Sequence, residues 1–133
     1  LQNISLPFLR NGKYRAFPSS GDSMQRYGEG TYMVGKYLES LNDLKKKKTY
    51  IFITRNEGIV YKRLLEKSEN SLTVASDNTF YEPYDIKYSE ILEIWSYACS
   101  INTKEFEKDV LDSQIIMSTL RNIHSLVKKQ NGV

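Results

Sequence analysis

Two residues in this chain are of types that can do nucleophilic chemistry together. Ser23 lies in Pro18-Ser19-Ser20-Gly21-Asp22-Ser23-Met24, a glycine-containing turn. Lys62 lies 39 residues further on, in the apolar, strand-like run Gly58-Ile59-Val60-Tyr61-Lys62-Arg63. A serine hydroxyl is a poor nucleophile until a base takes its proton. A neutral lysine can be that base, as in Ser-Lys variants of the hydrolytic triad. Lysine titrates near ~10.4, and burial among apolar groups can lower that by ~3–5 units. Ile59, Val60, Leu64 and Leu65 surround Lys62 and would provide such burial. Gly21 would let the backbone approach a substrate closely, and the peptide N–H of Ser23 or Met24 could stabilise an oxyanion. Asp22 reads as a turn former that supports the site with Gly21. A Ser-His-Asp arrangement is not credible. The only histidine, His124, lies in the C-terminal segment and reads as a helix-surface residue.

The elements that must position this pair are mostly strands. Tyr14-Arg15-Ala16-Phe17 alternates and ends at Pro18, after a lead-in with an Asn11-Gly12 turn signal. The stretch from Gln25 to Thr31 reads as loop, with Gly28 and Gly30. Thr31 to Leu38 reads as a strand in which Gly35 marks a bulge or a close backbone approach. Thr49 to Thr54 is a near-continuous apolar run. With the turn Asn56-Glu57-Gly58 and a return over Ile59 to Glu66 it forms a hairpin. Ser71 to Ser76 is a further strand, Asp77-Asn78 a turn, and Phe80 to Tyr84 an aromatic loop. Ile91 to Ile101, around Trp95, is a long strand by its β-branched and aromatic content. From Lys104 to Gln130 the positions Phe106, Val110, Ile116, Leu120, Ile123 and Val127 recur at helical spacing. That helix would cover the sheet or meet a partner.

Composition narrows the function classes. The chain has 133 residues, 40% hydrophobic and 26% charged, enough for one domain with its own core. The net charge of +3 is too small to argue for nucleic-acid binding. Lys45-Lys46-Lys47-Lys48 reads as a solvated loop, because no aromatic or arginine interleaves the lysines. A single cysteine, Cys99, excludes an intrachain disulfide, fits a reducing compartment and reads as a small buried hydrophobe. No apolar run reaches the ~18 residues of a membrane span, and no signal peptide or metal-ligand spacing appears. Leu1 rather than Met opens the chain, which suggests a fragment and leaves a domain upstream open.

Three segments carry a resemblance: Gly21-Asp22-Ser23-Met24, then Gly58-Ile59-Val60-Tyr61-Lys62-Arg63-Leu64, then Ser76-Asp77-Asn78 with Tyr81-Glu82-Pro83-Tyr84. In type, order and spacing they resemble the C-terminal domain of LexA-type and phage-repressor-type transcriptional regulators. The similarity runs from about Pro7 to Ile101. The resemblance implies a mainly β, β-clip-type peptidase fold over residues 1–101, with residues 102–133 as an added helical extension. Ser23 matches the nucleophile and Lys62 the general base. It further implies a cytoplasmic homodimer without cofactor, and operator DNA bound through an upstream helix-turn-helix domain. Self-cleavage in a linker would follow, in some members promoted by an activated recombinase filament. In cleaving members the cut falls at Ala-Gly or Cys-Gly. Neither dipeptide occurs in these 133 residues, so the bond is upstream, of another type, or absent. A domain that only dimerises or senses, and a soluble peptidase acting in trans, remain alternatives.

Four further residues have competing readings. Asp77-Asn78 reads as a turn between strands or a support beside the site. Trp95 and Tyr97 read as core rather than partner surface.

Overall fold

The structure is a computed structural model that describes residues 3–19, 24, 29–105 and 108–131. The chain divides into two units, Leu1–Thr103 and Lys104–Val133. The first is mainly β, and the second holds a helix.

The first unit forms seven strands: β1 (Tyr14–Pro18), β2 (Thr31–Tyr37), β3 (Thr49–Thr54), β4 (Gly58–Lys67), β5 (Ser71–Ala75), β6 (Tyr84–Lys87) and β7 (Ile91–Asn102). They make one antiparallel sheet in the order β1-β2-β7-β3-β4-β5-β6. The apolar run of β3 is explained by its place at the centre of that order. Alternate side chains of a strand point to opposite faces, and β3 is covered on both. Tyr50 and Phe52 join Leu64, Leu72, Val74, Ile86 and Ile94 in one cluster. Ile51 joins Phe17, Met33 and Trp95 in another. Fully burying side chains such as Phe52 or Leu64 stabilises by about 1.5–3 kcal/mol each.

The β3–β4 hairpin turns at Gly58, whose φ of 73° lies in the left-handed region. Buried Thr54 closes the turn: its hydroxyl accepts the Glu57 N–H at 3.0 Å and donates to the Gly58 carbonyl at 3.2 Å. Gly35 is both bulge and close approach. The β2–β7 register shifts between Val34 and Gly35, and a Cβ there would meet the Trp95 Cβ at 2.7 Å.

The structure departs from the sequence expectations at several points. Tyr84 is not the end of a loop but the start of β6, a short edge strand where only Ile86 is buried. One buried side chain in four residues is too weak an alternation to read. Trp95 is core, with its ring edge-on to Phe17 and Tyr37. Tyr97 is not: it is exposed and stacks on Tyr61 at 6.5 Å. Cys99 is half-buried rather than buried, although desolvation still raises its thiol above the ordinary value.

The second unit contains α1 (Lys108–Asn131). Ile116, Leu120, Ile123 and Val127 are spaced by four, three and four residues, which puts them on one face of that helix. Phe106 lies outside the described residues. No helix among the described residues is long and apolar enough to cross a membrane.

Candidate functional site around Lys62

Lys62 lies near the middle of β4, opposite Tyr50 of β3. Its neighbours Val60 and Leu64 on the same face pack into the cluster around Phe52. The lysine is half-buried, and desolvation holds its amine below the ordinary lysine value. The Glu57 carboxylate opposes this in part by favouring the charged form. Glu57 is held in turn by the Tyr84 hydroxyl, which donates to its Oε2 at 3.1 Å. Burial, the Glu57 charge and this bond keep the Tyr84 phenol protonated far into the alkaline range. The Tyr84 ring also faces the amine, with Nζ 6.0 Å from its centroid.

The direct partner of Lys62 is Ser76: Nζ donates to Oγ at 2.7 Å. The strand register explains the meeting. Arg63 pairs with Ala75 across β4 and β5, so the next step brings Lys62 level with Ser76. Ser76 carries only a weak signal in sequence. Its signal was the alternation Leu72, Val74, Ser76 on one face of a strand paired with the lysine's own.

Arg63 faces the other way and fixes the start of the β5–β6 connection. Its guanidinium forks onto Asp77, Nε to Oδ1 at 2.8 Å and Nη2 to Oδ2 at 2.9 Å. Asn78 makes the turn expected of it, its side chain accepting the Phe80 N–H at 3.0 Å. Asp77 thus acts as an anchor beside the lysine as well as a turn residue.

Gly21, Asp22 and Ser23, and residues 25–28 of the expected loop, lie outside the described residues. Met24 is described and is buried. Its Sδ accepts the Asp77 N–H at 3.2 Å. The residue after Ser23 in sequence therefore meets the residue after Ser76, the partner of Lys62. Met24, Ser19, Met33, Ile51, Val60 and Lys62 are among the residues lining a pocket of about 210 Å³. Chemically, this is an apolar pocket with a partly desolvated amine at its edge. A hydroxyl holds that amine without neutralising it. Among the described residues no three His, Cys, Asp or Glu side chains group to hold a metal ion.

No family model matches the chain, and neither a curated protein nor a solved structure matches it significantly.

Proposed function

We propose that this chain is a serine-lysine hydrolase domain with a LexA-like fold, in which Ser23 is the nucleophile and Lys62 the general base. More specifically, it is the dimerisation and self-cleavage domain of a cytoplasmic, phage-repressor-like transcriptional regulator. That protein binds operator DNA through an upstream helix-turn-helix domain. The observation that carries the reading is the half-buried Lys62 amine, held by Ser76 at the edge of the pocket that Met24 also lines.

In this mechanism neutral Lys62 takes the proton of the Ser23 hydroxyl as its oxygen attacks the scissile carbonyl. The N–H of Ser23 or Met24 stabilises the oxyanion. Lys62 then gives the proton to the departing amine, leaving an acyl ester on Ser23. Water, its proton taken by the Lys62 amine, attacks the ester, and Lys62 returns that proton to the departing Ser23 oxygen. Ser76 accepts a hydrogen bond from the lysine in either charge state and leaves its remaining positions for the reacting groups.

A second reading is favoured by one observation, the lack of Ala-Gly and Cys-Gly in these 133 residues. Under it the domain dimerises or senses without cutting. Incubating the full-length protein at neutral and alkaline pH, with and without an activated recombinase filament, separates the two. The first predicts two fragments, abolished by Ser23→Ala and by Lys62→Ala. Cleavage that persists in either variant rejects the assigned pair. An intact wild type under all conditions supports the second reading.

A further inference from the structure

A second concavity of the sheet unit lies apart from the Lys62 pocket. It is a groove of about 1010 Å³ walled by the Asn11–Lys13 lead-in, the end of β2, the turn before β3, and β3, β4 and β7 residues. Its lining carries six cations, Lys13, Lys36, Lys45, Lys47, Lys48 and Arg63, against the carboxylates Glu39 and Asp43. Arg63 is paired with Asp77, so the five lysines stand against two carboxylates, an excess of three positive charges in the groove.

The lysine turn is built, not merely solvated. The Lys45 N–H donates to the Tyr50 hydroxyl at 2.8 Å. The Lys47 N–H donates to the Leu64 carbonyl at 2.7 Å, and the Leu64 N–H donates to the Lys48 carbonyl at 2.9 Å. Arg63 Nη1 donates to the Lys47 carbonyl at 2.6 Å. Lys47 itself has a φ of 71°, a left-handed conformation that glycine would adopt without cost. A lysine held there by hydrogen bonds on both sides of its peptide is an outlier that asks for a reason in its side chain. On β2 and the Asn11–Lys13 lead-in, the Lys36 stem lies against Gly12, and Lys13 Nζ sits 5.3 Å from the centroid of the Tyr37 ring.

We propose that this groove binds the phosphodiester backbone of a nucleic acid. The choice of phosphate over carboxylate follows from the kind of cation. Planar carboxylates are best recognised by an arginine fork, and the fork of Arg63 already holds Asp77. The other five cations are lysines, whose ammonium groups act as point charges suited to phosphate. The volume exceeds what one small anion fills, and the cations come from β2 and the Asn11–Lys13 lead-in as well as from the turn before β3, so a chain of phosphates fits better than a single one. Tyr37 and Tyr97 supply the aromatic lining that the lysine run lacks in sequence. This contact is independent of the Ser23–Lys62 chemistry and separate from any DNA reading by an upstream domain.

The test uses fluorescence anisotropy of the 133-residue chain with labelled duplex DNA, a single strand of equal length, and poly-glutamate, from 50 to 200 mM salt. Each lysine engaged should contribute about −0.9 to the slope of log K against log salt on duplex, and about −0.7 on single strand. Lys45→Gln, Lys47→Gly and Lys48→Gln together should weaken DNA binding at least ~10-fold at 50 mM and flatten the duplex slope by about 2.7. Lys47→Gly also relieves the left-handed lysine, and a thermal melt checks that the fold is kept. If that variant fails to fold, Lys13→Gln with Lys36→Gln, on the lead-in and β2, should flatten the slope by about 1.8. A control removing three cations elsewhere, Arg55→Gln, Lys87→Gln and Arg121→Gln, should retain most of the affinity. The proposal is overturned if the wild type fails to bind either nucleic acid at 50 mM salt, or if the groove variants keep the wild-type slope. An equal loss in the control, or tighter binding of poly-glutamate than of DNA, overturns it as well.

Discussion

The amine of Lys62, on β4, and the hydroxyl of Ser76, the residue just past the end of β5, stand 2.7 Å apart, one step beyond the Arg63–Ala75 pair. Ser76 is thereby the group that aims the proposed base. Ser76→Ala removes a hydrogen bond to a chargeable group, worth about 1.5–3 kcal/mol. Self-cleavage should slow about 10- to 100-fold, with Ser76→Thr recovering part of the loss. The check is the first-order rate of fragment appearance. A rate unchanged in Ser76→Ala would remove Ser76 from the mechanism.

The rate of cleavage should rise with pH. Lys62 must be neutral to act, and desolvation sets its folded value below the ordinary lysine value. The rate therefore climbs as pH passes through that folded value and levels above it. Glu57 favours the charged form, so Glu57→Gln should move the midpoint of the profile to lower pH. A midpoint that stays put or moves up would mean that Glu57 does not act on the base.

Folding stability carries the same signature. A lysine whose folded pKa is depressed is bound to fewer protons in the folded than in the unfolded chain between the two values. Stability then rises with pH across that window, which extends up to the unfolded value of about 10.4. Lys62→Met removes this slope. The difference in denaturation midpoint between variant and wild type should shift in favour of the wild type as pH is raised towards that unfolded value. Parallel pH dependences for the two proteins would contradict the depressed value.

Gly35→Ala tests the sheet that holds the site. The added methyl would meet the Trp95 Cβ at 2.7 Å and the Ile51 Cδ1 at 3.1 Å. Overpacking of this kind costs about 1–3 kcal/mol, readable as a lower urea midpoint with an unchanged m-value. A variant as stable as wild type would show that β2 and β7 can part locally without loss.

The apolar face of α1 bears on the proposed homodimer. Ile116, Leu120, Ile123 and Val127 share one face, as expected of a helix that meets a second copy. Leu120→Asp with Ile123→Asp, or removal of Lys104–Val133, should halve the mass measured by light scattering at micromolar concentration. An intact dimer after either change would assign that face another role.

Much of this molecule was legible in local pattern. The alternation and apolar runs of β1 to β5 and β7 mark strands, because a half-buried pleated surface requires side chains of one kind every second residue. The break at Gly35 marked the bulge, and Asn56-Glu57-Gly58 the hairpin. Lys62 was conspicuous as a charge inside an apolar run, and that context is what lowers its pKa. β6 was not legible, because its single buried residue, Ile86, gives no period to detect. Other relationships exist only across strands. Ser76 meets Lys62, and Arg63 holds Asp77, through a register that local sequence does not encode. Tyr97 is exposed while Trp95, two residues away on the same strand, is buried, because coverage of a face depends on what other elements reach it. The four lysines carried little meaning in isolation. The tertiary structure lines one groove with three of them, Lys45, Lys47 and Lys48, together with Lys13, Lys36, Arg63 and three tyrosines, because the walls of a groove come from segments far apart in sequence.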